Sequence, residues 1–151
     1  LRCSSTMGRE LEDAVTRGLG FEVSLPVDFA EARTTVTAAL KAEGFGVLTE
    51  IDMQAAFKEK LGKDFRRYTI LGACNPPLAY AAVSADPSVG LLLPCNVTVE
   101  ESGPGQSIVR LTDPLAMLGS AAGGLSPEIR DVATDAHARM SRVSSALAKR
   151  Q

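Results

Sequence analysis

Two Cys-Asn pairs, Cys74-Asn75 and Cys95-Asn96, carry the side chains with the most chemistry in this chain. A thiolate is both a nucleophile and a ligand for soft metals. Asn75 followed by Pro76 is typical of a helix start, and a helix N-terminus favours a thiolate on Cys74. For Cys95 two interpretations stay open, a buried core thiol or a thiol that lines a cavity. Asn75 also has a purely structural interpretation, because a role as a helix cap explains it fully.

Acidic residues and one histidine could complete a site with these thiols. Glu50 and Asp113 are the nearest polar partners in the predicted sheet, and Glu50 with Asp52 forms a carboxylate pair that suits acid–base work or a hard cation. Asp52 is also explained as a cap, and Glu50 as a surface charge. His137 is the only histidine and lies far along the last helix. A Cys–His pair, or a zinc site of both thiols, His137 and a carboxylate, requires the fold to gather them.

The elements that must position these residues follow from hydrophobic periodicity and from capping residues. We predict strands at residues 21–27, 46–51, 68–74, 90–100 and 107–112, and helices at about 28–43, 53–61, 76–85 and 126–149. The last helix carries one continuous apolar stripe of about five turns, from Ile129 to Leu147. The strands are mostly adjacent and joined by short loops, including a turn at 101–106, so we expect a mainly antiparallel sheet with the long helix across one face.

The fold class is therefore α+β, in the order strand, helix, four strands, helix. We expect one domain over residues 19–150, preceded by a mobile leader at 1–18 in which Met7 is a candidate start. Residues 119–124 are expected to form a flexible link.

Composition excludes several classes of partner. The formal charge of −2 and the pI of about 5.4 lack the basic excess of a nucleic-acid binder. The sequence has no run of about eighteen apolar residues and no signal-peptide pattern, so we expect a cytoplasmic protein without a membrane partner. Three cysteines are an odd number, and we expect reduced thiols and no disulfide. The predicted strand at 90–100 is apolar on both faces, which favours burial in a homodimer.

Three runs of residues, two of which contain the Cys-Asn pairs, resemble motifs of DUF302, a bacterial and archaeal domain of unknown function. They are the runs from Gly44 to Asp52, from Ile70 to Pro76 and from Leu92 to Val97, and the run from Asp113 to Leu118 also fits. The resemblance covers about residues 21–147 with the motifs in order. It implies a fold similar to that of TATA-binding protein and a homodimer. It implies no activity, and the fold likeness implies no DNA binding.

We therefore predict a non-catalytic, dimeric domain that binds a small ligand or another protein. The site is expected where the strand ending at Cys74 meets the strand carrying Cys95. Its ligand-binding residues are predicted to be Cys74, Asn75, Cys95, Asn96, Glu50 and Asp113. No catalytic residue, metal ligand or particular cofactor is predicted. The alternative is a thiol- or metal-dependent enzyme that uses Cys74 and Cys95.

Overall fold

The computed structural model describes residues 15–16, 18–119 and 125–150. Its strands are β1 (Val15–Thr16), β2 (Gly20–Leu25), β3 (Gly46–Asp52), β4 (Tyr68–Cys74), β5 (Cys95–Gly103) and β6 (Gln106–Thr112). They form one antiparallel sheet in the order β1-β2-β6-β5-β4-β3, so β3 lies at an edge.

Five α-helices and one 3₁₀ helix are found in the described part of the chain. The α-helices are α1 (Phe29–Ala42), α2 (Met53–Leu61), α3 (Pro76–Ala85), α4 (Pro114–Gly119) and α5 (Pro127–Ala148), and the 3₁₀ helix is Pro87–Leu92. Side-chain caps begin several of them, because Asp28, Asp52, Asn75 and Ser126 each accept a backbone N–H from the first turn. None of the described helices is long and apolar enough to cross a membrane.

The main core lies between α1 and α5 and one face of the sheet. Alternate strand residues point to this face, which is why β5 and β6 bury every second side chain there. The fully buried side chains include Leu40 on α1 and Met140, Val143 and Leu147 on α5. The α+β class and the long C-terminal helix packed on the sheet are thus confirmed.

The opposite face of the sheet carries an ionic network around a buried carboxylate. Glu100 accepts hydrogen bonds from Arg66 at 2.7 Å and from Arg110 at 2.6 Å. Burial acts to raise the pKa of Glu100, but the hydrogen bonds and charges of the two arginines outweigh it and lower the pKa below its ordinary value. Glu100 therefore stays charged in the folded protein at neutral pH.

One strand prediction was wrong at its start. The apolar run at 90–94 is not part of a strand, because the Asp86 side chain accepts a hydrogen bond from the Ser88 backbone N–H and begins the 3₁₀ helix Pro87–Leu92. Strand β5 starts only at Cys95. The helix α4 was not predicted, and the hairpin turn is shorter than expected, with Pro104-Gly105 between β5 and β6.

The predicted leader and link fall mostly on residues 1–14, 17 and 120–124, which lie outside the described residues. Val15–Thr16 pair with β2 as an antiparallel edge.

Candidate functional site

A cavity lies at the end of the sheet where β4 finishes and β5 begins. Its volume is about 290 Å³. The strand register explains its position: Cys74 lies opposite Gly46 of β3, and Ala73 lies opposite Cys95. Three helices and the segment 87–94 complete the walls, with Leu78 from α3, Leu93 from that segment, Leu118 from α4 and Ala136 from α5 among the lining residues.

The lining of this cavity is almost entirely carbon and sulfur. Among the described residues that line it, the polar side chains are Thr49, Cys74, Asn75 and Cys95. No acidic, basic or imidazole side chain is among them. The site can therefore hold an apolar group and orient it with few hydrogen bonds, as small-molecule sites commonly do.

Asn75 is both a helix cap and a wall of the cavity. Its Oδ1 accepts the Leu78 backbone N–H at 3.3 Å, and the residue is only 8% exposed. Its Nδ2 lies against Gly44, where a Cβ would approach Nδ2 to 2.9 Å. Gly44 also has φ of 84°, a conformation that favours glycine. The Gly44 turn after α1 is thus what allows Asn75 to sit at this position.

Both cavity thiols are held in the protonated form at neutral pH. Burial, and to a lesser degree the charge that Cys74 would carry, raise the pKa of Cys95 to about 11. Burial also raises the pKa of Cys74. The expectation that the N-terminus of α3 favours a thiolate on Cys74 was therefore wrong, because desolvation dominates there. Both cysteines are free thiols.

Asp113 and His137 form a separate pair beside the cavity. Asp113 Oδ1 lies 2.8 Å from His137 Nδ1 and also accepts the Leu115 backbone N–H at 2.9 Å. The His137 ring contacts the Phe21 ring, with centroids 5.8 Å apart. Neither Asp113 nor His137 lines the cavity, although Pro114 does. The fold therefore does not place the imidazole as a base for either thiol.

Glu50 lies at the other end of β3, away from the thiols. Its carboxylate forms an ion pair with Arg33 and accepts a hydrogen bond from the Thr69 hydroxyl at 3.3 Å. Glu50 and Asp52 line a different, polar depression of about 360 Å³ together with Arg33 and Arg67. Asp52 is engaged as a cap, with Oδ1 accepting the Ala55 backbone N–H.

Asn96 is exposed on the sheet face opposite the core and does not line the cavity. Its backbone oxygen accepts the Thr112 hydroxyl at 2.6 Å. The structure thus brings together Cys74, Asn75 and Cys95 and leaves Asn96, Glu50 and Asp113 elsewhere. In the described part of the chain, no three acidic, histidine or cysteine residues are grouped as a metal site would require.

Sequence reasoning missed the helical residues that make the cavity. Ala79 and Ala82 on α3 and Ala136 on α5 point their short side chains into it. Small residues at helical spacing are the signal that could have indicated room there. The same alanines are also good helix formers, so the signal does not distinguish a cavity from a plain helix.

The fold and cavity define a class: a two-layer α+β domain with an apolar pocket under its long C-terminal helix. The family model described as domain of unknown function DUF302 matches residues 21–147, and the chain belongs to this family. Its fold is similar to that of an uncharacterized conserved DUF302 protein from Bacillus stearothermophilus, known from a crystal structure. The TM-score is 0.74 at 26% identity, with 85% of this chain and 98% of the other covered. No curated protein shows significant similarity to the chain.

Proposed function

We propose that this domain is a non-catalytic binding module whose cavity holds a small, mainly apolar ligand. The observation that supports this most directly is the cavity of about 290 Å³ with an almost wholly apolar lining between sheet and helices. Removing apolar ligand surface from water supplies the affinity, at about 25 cal/mol per Å². A few polar groups then fix orientation.

The cavity volume limits the size of the ligand. An apolar cavity of about 150 Å³ holds a benzene molecule. The cavity here is about 290 Å³, so it suits a ligand on the order of ten heavy atoms. The polar side chains of Asn75 and Thr49 in the lining can form a hydrogen bond with the ligand. A fused aromatic ring with one polar atom, such as indole, is therefore a suitable probe.

Cavity filling tests this proposal. Ala79 and Ala81 lie on the same helix α3, but Ala79 lines the cavity and Ala81 is exposed. Ala79→Leu should weaken indole binding at least about tenfold, or 1.4 kcal/mol, because the added side chain occupies the ligand volume. Ala81→Leu is the matched control and should bind as the wild type does. Isothermal titration and amide chemical shifts measure both.

Two results would contradict the proposal. One is that neither indole nor other apolar compounds of similar size produce saturable shifts at residues around the cavity. The other is that Ala79→Leu binds indole as tightly as Ala81→Leu, since the ligand would then lie elsewhere.

The alternative, a thiol- or metal-dependent enzyme using Cys74 and Cys95, has less support. Both thiols have raised pKa values and His137 is paired with Asp113. A nucleophilic thiol needs a lowered pKa or an adjacent base.

We also propose that the domain is a homodimer joined through β3. The apolar run at 90–94 does not support a sheet interface, since residues up to Leu92 lie in the 3₁₀ helix. Edge strand β3 supports one instead, because it is exposed along most of its length and carries Leu48 and Ile51 at 67% and 50% exposure.

Light scattering tests the dimer. Ile51→Lys should shift the mass from two chains toward one, whereas Leu91→Lys should not, although Leu91 is 88% exposed. A wild-type monomer at micromolar concentration would refute the dimer, and dissociation by Leu91→Lys alone would place the interface on the 3₁₀ helix.

A cytoplasmic location, a likeness to the TATA-binding-protein fold and the absence of nucleic-acid binding are also part of the proposal. The free thiols of Cys74 and Cys95 support a reducing compartment such as the cytoplasm. The formal charge of −2 supports the absence of nucleic-acid binding. Tight, salt-dependent binding to duplex DNA would contradict the last.

A further inference from the structure

We infer that the cavity selects neutral ligands that carry a hydrogen-bond acceptor, such as a small ketone or lactone, and that the side-chain amide of Asn75 donates the hydrogen bond to it. This inference rests on the proposed function, because it concerns the same cavity. It adds the chemical class of the ligand, which the apolar volume alone does not define.

The two ends of the Asn75 amide are in different situations. Oδ1 accepts the Leu78 backbone N–H at 3.3 Å and so begins helix α3. Nδ2 carries two N–H donors and has no hydrogen-bond acceptor among the described residues. The cap fixes the orientation of the amide, since the reverse orientation would set Nδ2 against another donor, the Leu78 N–H. The donor end of Asn75 is therefore the end that is left for a ligand.

Burial makes this donor costly to leave without a partner. Asn75 is 8% exposed and lines the cavity. Its Nδ2 lies beside Gly44, which has no Cβ to cover it, and the next residue, Phe45, is also part of the cavity wall. A hydrocarbon ligand that displaced water from Nδ2 would leave a buried donor unsatisfied. A ligand with an acceptor atom avoids this cost.

The other polar groups of the lining do not reverse the preference for an acceptor. The Cys74 and Cys95 thiols are protonated at neutral pH, because burial raises both pKa values, and an S–H group is a weak donor. The Thr49 hydroxyl donates as well as accepts. Side-chain donors therefore outnumber strong acceptors among the described residues of the lining.

Charge argues against an ionised ligand. In the described part of the lining there is no arginine, lysine or histidine, so a carboxylate or a phosphate would enter without a counter-charge. There is no aspartate or glutamate either, so an ammonium group would be unpaired in the same way. Burial of an unpaired charge is strongly unfavourable. A carbonyl oxygen on a mainly apolar body meets both requirements, because it accepts a hydrogen bond and carries no charge.

Three bicyclic compounds of similar size test this inference. Indane has no polar atom, 1-indanone has a carbonyl acceptor, and indole has an N–H donor. Asn75→Asp keeps a capping oxygen for the Leu78 N–H but replaces the Nδ2 donor by an acceptor. At pH 8, Asn75→Asp should weaken 1-indanone binding about tenfold more than it weakens indane binding, and indole binding no more than indane binding, as measured by isothermal titration. Asn96→Asp is the matched control, because Asn96 is exposed and does not line the cavity.

The side-chain amide protons of Asn75 give a direct readout. The chain has two asparagines, so the spectra of Asn75→Asp and Asn96→Asp assign both side-chain NH₂ signals. We expect 1-indanone to move the Asn75 NH₂ protons downfield, and indane not to do so. Far-UV circular dichroism and thermal unfolding check that the variants fold. Asn75→Ser, which also keeps a capping oxygen, replaces Asn75→Asp if the aspartate variant does not fold.

The failure of this inference is distinguishable from the failure of the proposed function. If Asn75→Asp affects all three compounds equally, or if 1-indanone binds without moving the Asn75 NH₂ signal, this inference is overturned and the apolar binding site stands. If none of the three compounds binds to the wild type, both are overturned.

Discussion

Met140 offers the sharpest test of how the long helix is docked. It lies in the middle of α5, is 0% exposed and belongs to the main core between helix and sheet. Replacing it by alanine removes buried atoms and leaves a cavity. Replacing it by aspartate also places a carboxylate where no partner is available in the surrounding apolar cluster.

The expected magnitudes differ between the two variants. Large-to-small changes of a buried methionine cost about 2–5 kcal/mol. For a domain of this size, about 1 kcal/mol lowers the melting temperature by about 2–4 °C, so Met140→Ala should melt about 4–20 °C lower. Burial of an unpaired charge costs several kcal/mol more. Since total stabilities are about 5–15 kcal/mol, Met140→Asp should unfold or nearly unfold the domain.

Thermal unfolding followed by circular dichroism measures these effects. Thr134→Asp is the matched control, because Thr134 is exposed on the same helix. An aspartate forced into the core has a folded-state pKa above its unfolded-state pKa, so the cost of its charge is complete above the folded pKa, shrinks as the pH falls toward the unfolded pKa and is absent below it. A Met140→Asp protein that melts within about 2 °C of the control would refute the docking described above.

Three more predictions concern charge, packing and thiol reactivity. Glu100→Gln should be less stable than the wild type at neutral pH, because it lacks the charged carboxylate that the arginines stabilise. The difference should shrink as the pH falls below about 4.5 and through the lowered folded pKa of Glu100, and urea unfolding at neutral and acidic pH measures it. Gly72→Ala should cost about 1–3 kcal/mol, because its Cβ would lie 2.2 Å from Thr49 Oγ1; Gly46→Ala, with no atom within 4 Å, is the control in the same melting assay. Iodoacetamide at pH 8 should modify Cys95 on the order of 100-fold more slowly than a free cysteine, since its pKa is about 11, and mass spectrometry of peptides gives the rate.

Much of the fold could be predicted because local signals and tertiary packing agree in these regions. The apolar stripe from Ile129 to Leu147 allowed only a helix lying on a core, and Asp28, Asp52 and Asn75 cap the helices predicted to follow them. The run at 90–94 failed for a physical reason. A short apolar run fits a buried strand and a buried helical turn equally well. The Asp86 side chain, which begins the 3₁₀ helix, decides between them.

The candidate site was predictable in part. Cys74, Asn75 and Cys95 were expected at one place because consecutive antiparallel strands meet there, and the register brings them to one cavity. Glu50 was misplaced although the sequence could have excluded it: it lies late in β3 whereas Cys74 ends β4, and the late part of one antiparallel strand lies beside the early part of its neighbour, as Glu50 opposite Leu71 shows.

The two Cys-Asn pairs are alike in sequence and unlike in space, and the chain direction is the cause. Cys74 ends a strand, so Asn75 is free to leave the sheet and cap α3, where it becomes buried. Cys95 begins a strand, so Asn96 is held in the ladder and must point to the face opposite Cys95. Side-chain alternation thus removes one asparagine from the cavity and helix capping retains the other. The cavity therefore has two sulfurs but a single amide, and any ligand that fills it meets this asymmetry.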